Sequence, residues 1–290
     1  HPPDVWLGQL TNEETAISWK HLSRLNPILE ETLALASSKR ISYESFDGCR
    51  IDAIMTLPPF QEGNEPLPLI VDVHGGPSGA WSDDFRGFDT QVLASAGYAI
   101  LRPNVRGSWG RGVAFADAVI GDMGGKDFQD VMYGVEYLVK QGIVDGNRVG
   151  ITGWSYGGYM AAWAVTQTNR FKAALMGAGI SDWHNYHAQS SLRDSDLRFL
   201  AADPLENPEV YHKHSPITYA AHVTTPTLIL HGENDEAVPV AQAYAFYQAL
   251  RDRGVPVELV VYPREGHGLR ERDHVRDAEE RLLRWFKRYV

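Results

Sequence analysis

Three residues able to perform acyl transfer follow one another along this chain: Ser155, Asp235 and His267. Ser155 is the centre of Gly153-Trp154-Ser155-Tyr156-Gly157. A serine hydroxyl alone is a poor nucleophile, so it needs a base to take its proton and a third group to orient that base. The flanking glycines allow a sharp turn that lifts the hydroxyl above the end of a strand. Asp235 lies in His231-Gly232-Glu233-Asn234-Asp235-Glu236-Ala237-Val238-Pro239, and His267 in Pro263-Arg264-Glu265-Gly266-His267-Gly268. The order serine, acid, histidine is the one used when the nucleophile sits on a strand-to-helix turn. Asp235 also fits as a cap for a helix starting near Pro239, and Asp182 is the alternative acid. His231 precedes Asp235, in an unsuitable place for the base.

Negative charge that appears on the substrate oxygen needs fixed donors. The backbone N–H of Tyr156 is one expected donor, because the first amides of a helix have no partner within it. His74-Gly75-Gly76-Pro77 follows an apolar strand and offers the second through Gly76, unless it is a plain turn. Arg106 either binds a substrate carbonyl or braces the loops by pairing with Asp122 or Asp127. Trp109, Trp183, Tyr186 and Val238 are candidates for the apolar wall of a substrate pocket. The His184/His187 and His212/His214 pairs have metal-like spacing without a matching carboxylate–histidine signature. They read as polar residues over the site, and neither metal nor cofactor is expected.

Elements must carry these residues to one place. Short apolar runs at 69–73, 98–101, 148–152, 172–176, 227–230 and 257–261 read as strands. Between them lie helical segments at 90–96, 127–141, 158–165, 241–252 and 272–289. Phe128, Val131, Val135 and Leu138 give the second of these a 3.6-residue apolar stripe. Strands alternating with helices mean an α/β fold, a mostly parallel sheet covered on both faces, with ligands at the carboxyl ends of its strands. Residues 182–219 break the rhythm and read as a lid-like insertion of short helices and loops. A hairpin is expected from 40–46 and 50–57 around Asp47-Gly48, followed by a proline-rich loop at 58–68. Ahead of it, residues 4–11 alternate like one strand with no evident partner, and 26–38 read as a linker with a helical part.

Composition narrows the class. The 290 residues are 43% hydrophobic and 22% charged, as expected for a globular protein with a full core. The net charge of −10 and scattered basic residues argue against a nucleic-acid surface. No apolar stretch approaches the roughly 20 residues that span a bilayer. Cys49 is the single cysteine, which excludes an internal disulfide and leans mildly toward the cytoplasm. The chain begins His1-Pro2-Pro3, which points to a processed product or a fragment.

His74 to Pro77, Asn104-Val105-Arg106-Gly107-Ser108-Trp109-Gly110, Gly153 to Gly158 and the Asp235 and His267 loops together resemble the catalytic domain of the prolyl oligopeptidase family. The likeness is strongest to its acylaminoacyl-peptidase and dipeptidyl-peptidase branch, and runs from about Ser42 to the C-terminus. The resemblance implies an α/β-hydrolase fold over 41–290 and a serine hydrolase of short peptides, with Ser155, Asp235 and His267 as the triad. It also implies that 1–40 is the end of a propeller-type domain or its connection. The family's β-propeller, which restricts substrate size, has no room in this chain. The alternatives are a carboxylesterase for small esters and a binding module without activity; a homo-oligomer is compatible with either.

Overall fold

A computed structural model describes residues 4–10, 17–60, 65–85 and 89–290. Residues 1–3, Thr11 of the first expected strand and part of the 58–68 loop lie outside the described residues. The N-terminal elements are β1 (Trp6–Leu10), β2 (Ile17–His21) and α1 (Pro27–Thr32). The expected strand near the N-terminus does have a partner, since β1 and β2 form an antiparallel two-stranded sheet of their own. The helical part of the linker is shorter than the sequence implied, because Leu33 already turns to an extended conformation.

The main sheet has eight strands: β3 (Ser38–Glu44), β4 (Arg50–Thr56), β5 (Leu67–Val73), β6 (Ala99–Asn104), β7 (Val144–Trp154), β8 (Ala173–Gly177), β9 (Thr227–Gly232) and β10 (Val257–Tyr262). Its first strand starts at Ser38, slightly ahead of the boundary at 41. The order across the sheet is β10-β9-β8-β7-β5-β6-β4-β3. Strands β3 and β4 form the expected hairpin, with Gly48 at a φ of 77° in its turn. β4 runs antiparallel to both β3 and β6, and the remaining neighbours are parallel.

The helices are α2 (Asp89–Ser95), α3 (Val113–Ala116), α4 (Lys126–Lys140), α5 (Tyr156–Gln167), α6 (Trp183–Gln189), α7 (Asp194–Leu200), α8 (Pro208–His214), α9 (Ala241–Asp252) and α10 (Arg272–Tyr289). Alternation along β5 divides the core in two. Leu69, Val71 and Val73 pack with Val131, Val135 and Leu138 of α4 and with the buried face of α5. Ile70 points the other way, to Leu93 of α2 and Leu282 and Phe286 of α10. Fully burying one such side chain favours folding by about 1.5–3 kcal/mol, so the sheet is fixed from both faces. The insertion 182–219 is α6, α7, α8 and a 3-10 turn, as its composition implied.

The chain leaves β5 toward β6 on one side and later places β7 on the other. That reversal opens a crevice at the carboxyl ends of β5 and β7. The loop after β5 and the turn after β7 both end there.

Candidate active site

β7 ends at Trp154 and α5 begins at Tyr156, leaving Ser155 alone at the turn with φ 63° and ψ −120°. A residue with a side chain adopts this conformation only under constraint. The constraint comes from close backbone packing. A Cβ on Gly157 would lie 1.9 Å from the Val73 carbonyl oxygen, and one on Gly158 would lie 2.3 Å from that of Gly177. The Ser155 N–H donates to Gly177 O at 2.9 Å. Glycine is therefore needed around the serine for proximity as well as for the turn.

Ser155 Oγ lies 2.8 Å from His267 Nε2, and His267 Nδ1 lies 2.7 Å from Asp235 Oδ2. These three residues come from the ends of β7, β10 and β9, and only the fold brings them together. Asp235 does not cap the following helix, since α9 starts at Ala241 with Val240 at its N-cap; its Oδ1 instead closes its own loop by accepting the N–H groups of Ala237 and Val238 at 3.0 and 2.8 Å. One carboxyl does both jobs with different oxygens. Burial pushes its pKa up, but bonds from His231, His267 and the Val238 N–H outweigh that and bring it down to about 2. Asp235 is thus ionised, with Nδ1 of His267 as the donor and Nε2 free to take a proton from Ser155.

Two supports of the histidine were not legible from sequence. The indole N–H of Trp154 donates to the His267 carbonyl at 2.6 Å, so a neighbour of the nucleophile fixes the backbone of the base. Glu265 closes the turn that carries His267 by accepting from the N–H groups of Arg270 and Glu271 at 2.9 and 2.8 Å. His274 adds a third bond to Glu265, and Arg264 holds Glu271. Glu265, Glu271 and His274 bring three potential metal-donor atoms within 4.8 Å of one another. Those bonds already occupy them, which makes the trio a brace.

His74 to Pro77 passes beside the nucleophile: a Cβ on Gly75 would lie 3.4 Å from Ser155 Cβ. His74 is buried, which lowers its pKa against the opposing bond to Gly75 and keeps the ring neutral. Its Nδ1–H donates to Gly75 O at 2.8 Å, and its Nε2 is 2.7 Å from the Ser108 hydroxyl. The 75–76 peptide is trans, so the Gly76 N–H points opposite to the Gly75 carbonyl and away from that ring. At the start of α5 the Tyr156 amide has no partner within the helix, because the first helical bond runs from Tyr159 N to Ser155 O.

The other expectations divide. Arg106 is 5% exposed and spent on carboxylates: Nε and Nη2 bind Asp130 at 3.0 and 2.6 Å, and Nη1 binds Asp47 at 2.5 Å. These bonds brace the loops, with Asp130 and Asp47 as partners instead of Asp122 or Asp127. Asp182, the alternative acid, caps α6 by accepting from the N–H groups of His184 and Asn185. His187 binds Asp196 and His214 binds the Met123 carbonyl, so the histidine pairs are separately engaged.

Trp183 and Tyr186 are buried and meet edge to face, and Val238 is buried beside Asp235. Trp109 is 67% exposed, and its N–H donates to Gly79 O in the loop after β5. A cavity of about 580 Å³ opens beside Ser155 and His267, lined also by Gly75, Trp81, Trp154 and Glu279. Trp109, Trp183, Tyr186 and Val238 do not line it.

The sequence model of the prolyl oligopeptidase family matches residues 83–290. An uncharacterized peptidase of Bacillus subtilis is 38% identical over all of this chain and 44% of its own length. The Pyrococcus horikoshii acylaminoacyl peptidase superimposes with a TM-score of 0.87 at 35% identity, over 94% of this chain and 45% of that one. A Mycobacterium tuberculosis puromycin-hydrolyzing peptidase gives a TM-score of 0.87 at 28% identity, over 96% of this chain and 43% of that one. The chain spans less than half the length of these relatives.

Proposed function

Because the chain belongs to the prolyl oligopeptidase family, we propose that it carries the catalytic unit of a serine peptidase acting on short peptides, N-acylated ones included. The observation that carries this reading is the unbroken chain Ser155 Oγ, His267, Asp235, with contacts of 2.8 and 2.7 Å. Acylaminoacyl peptidases among its relatives favour the acylated substrates. Residues 41–290 form the catalytic domain, whose sheet takes in β3 from Ser38, and the segment ahead of it carries the independent β1–β2 sheet.

Ser155 Oγ attacks the substrate carbonyl carbon while its proton passes to His267 Nε2. The imidazolium is stabilised by the ionised Asp235. The amides of Tyr156 and Gly76 bind the oxyanion, whose charge exists only in the tetrahedral state. His267 then hands its proton to the leaving nitrogen as the C–N bond breaks. Water, deprotonated by His267, cleaves the resulting ester and returns the hydroxyl to Ser155. Trp183, Tyr186 and Val238 supply an apolar wall for the substrate, a role supported by the edge-to-face packing of Trp183 on Tyr186 and by the bond from the Val238 N–H to Asp235.

No helix among the described residues is long and apolar enough to cross a membrane. A reducing compartment such as the cytoplasm suits the lone thiol of Cys49.

A fluorophosphonate probe should label the wild type and fail to label Ser155→Ala; equal labelling of both would overturn the assignment. Turnover of an acylaminoacyl p-nitroanilide is expected alongside that of a p-nitrophenyl ester. Ester hydrolysis with no anilide turnover would replace the peptidase by a carboxylesterase.

A further inference from the structure

The first turn of α5 contains Tyr156, Gly157 and Gly158, so Tyr156 is the one residue there with a side chain. Its phenol is buried and donates to Asp127 Oδ2, in the first turn of α4. Asp127 is 1% exposed. Its oxygens also accept the N–H groups of Gly124, at 3.1 Å, and Phe128, at 2.9 Å.

The contact belongs to a seam. Tyr156, Tyr159 and Trp163 lie at i, i+3 and i+7, on one face of α5. All three donate toward residues 123–127: Tyr159 to the Met123 carbonyl at 3.3 Å and Trp163 to the Gly124 carbonyl at 2.7 Å. Those two bonds hold α5 against the start of α4 with backbone acceptors alone. A buried carboxylate costs far more to desolvate than a carbonyl, yet one is used at the turn that presents the Tyr156 amide. Holding the helix does not require it.

We propose that Asp127 is a positioning residue for the oxyanion: it acts through the Tyr156 phenol to fix the first turn of α5 and aim the Tyr156 N–H. Burial pushes the Asp127 carboxyl up to about 7, against the bonds from Tyr156, Gly124 and Phe128 that favour its ionised form. When ionised it is a stronger acceptor than a carbonyl, and its two backbone bonds fix it in turn. The packing at Gly157 and Gly158 sets the position of the turn, and the Tyr156 side chain is the handle through which its first amide is aimed. The inference rests on the oxyanion role assigned above to Tyr156.

The test uses Tyr156→Phe and Asp127→Asn in the full chain, with p-nitrophenyl acetate as substrate and phenylboronic acid as the transition-state mimic. Removing one oxyanion donor outright lowers kcat by about a hundredfold or more. Misaiming one should lower kcat roughly tenfold, with KM unchanged within about twofold. Phenylboronic acid should weaken by the same factor as kcat/KM, and the double variant should be no worse than the worse single one. Tyr156→Phe keeps the ring and tests the inference even where Asp127→Asn fails to fold. Unchanged kcat in Tyr156→Phe, a rise in KM alone, or additive losses in the double variant would overturn it. Wild-type labelling by fluorophosphonate, measured in parallel, separates these failures from failure of the peptidase reading itself.

Discussion

His231 and His267 converge on one oxygen of Asp235. His267 Nδ1 lies 2.7 Å from Oδ2, and His231 Nε2 lies 3.4 Å from it while bonding the Val238 carbonyl at 2.7 Å. The second histidine is fully buried. It adds an electrostatic contact to the carboxylate and ties the loop that presents it.

His231→Gln should therefore lower kcat/KM about fivefold, the worth of roughly 1 kcal/mol. The carboxyl of Asp235 is held at about 2, so its contribution to stability is present above the ordinary carboxylate range and lost as pH falls through 2. Losing the His231 contact raises that value, and acid unfolding of the variant should begin at a higher pH. Tryptophan fluorescence across an acid titration measures it; a superimposable curve would refute the coupling.

Arg106→Ala should act on stability alone. It strands Asp130, which is fully buried, without its cation. Breaking a buried pair in this way costs about 3–5 kcal/mol. Denaturant unfolding should register that loss, and KM of the remaining folded enzyme should stay unchanged; a raised KM would return Arg106 to the substrate site.

Ser155→Gly separates activity from folding in the opposite direction. The φ of 63° strains any residue with a Cβ and costs about 1–3 kcal/mol. Glycine relieves the strain but gives back about 0.5–1 kcal/mol in unfolded-chain entropy. The variant should be inactive and about 1 kcal/mol more stable; a less stable variant would show that the serine is unstrained.

Glu279 offers a pH-dependent test. Burial and the neighbouring Asp89 push its carboxyl up to about 7, and its Oε2 has no hydrogen-bond partner. The folded state therefore binds its proton more tightly than the unfolded chain, and the penalty grows as pH rises from about 4.5 to 7. Glu279→Gln should raise the melting temperature by a few degrees at pH 8, about 1–2 kcal/mol after allowance for partial exposure. It should leave the melting temperature unchanged at pH 4. Equal effects at both would remove ionisation as the cause.

The strands, the long helices and the meeting of Ser155, His267 and Asp235 were legible because each rests on a local pattern: apolar runs, a 3.6-residue stripe, a glycine-flanked serine and histidine. What escaped depends on distant partners. Arg106 finds Asp47 and Asp130, 59 and 24 residues away, which no spacing rule connects. The strand Ile17–His21 is exposed along most of its length, so the burial that makes alternation visible is missing. Trp154 reads as a filler between glycine and serine until the His267 carbonyl arrives above it. Spacing offers Asp127 as a partner for Arg106, whereas its carboxyl accepts from Tyr156, Gly124 and Phe128.

The proposed base and nucleophile stand on unequal ground. Ser155 leaves β7, flanked by β5 and β8 in the interior of the sheet, while His267 leaves β10, an outermost strand that pairs, among the described residues, only with β9 and is half-buried along its length. Marginal strands open at lower free energy than central ones. Heat or denaturant should accordingly disarm this enzyme in two stages. Catalysis would cease when the margin frays and the histidine departs, with the serine still seated in an intact interior, and cooling would restore turnover without any need to refold the domain.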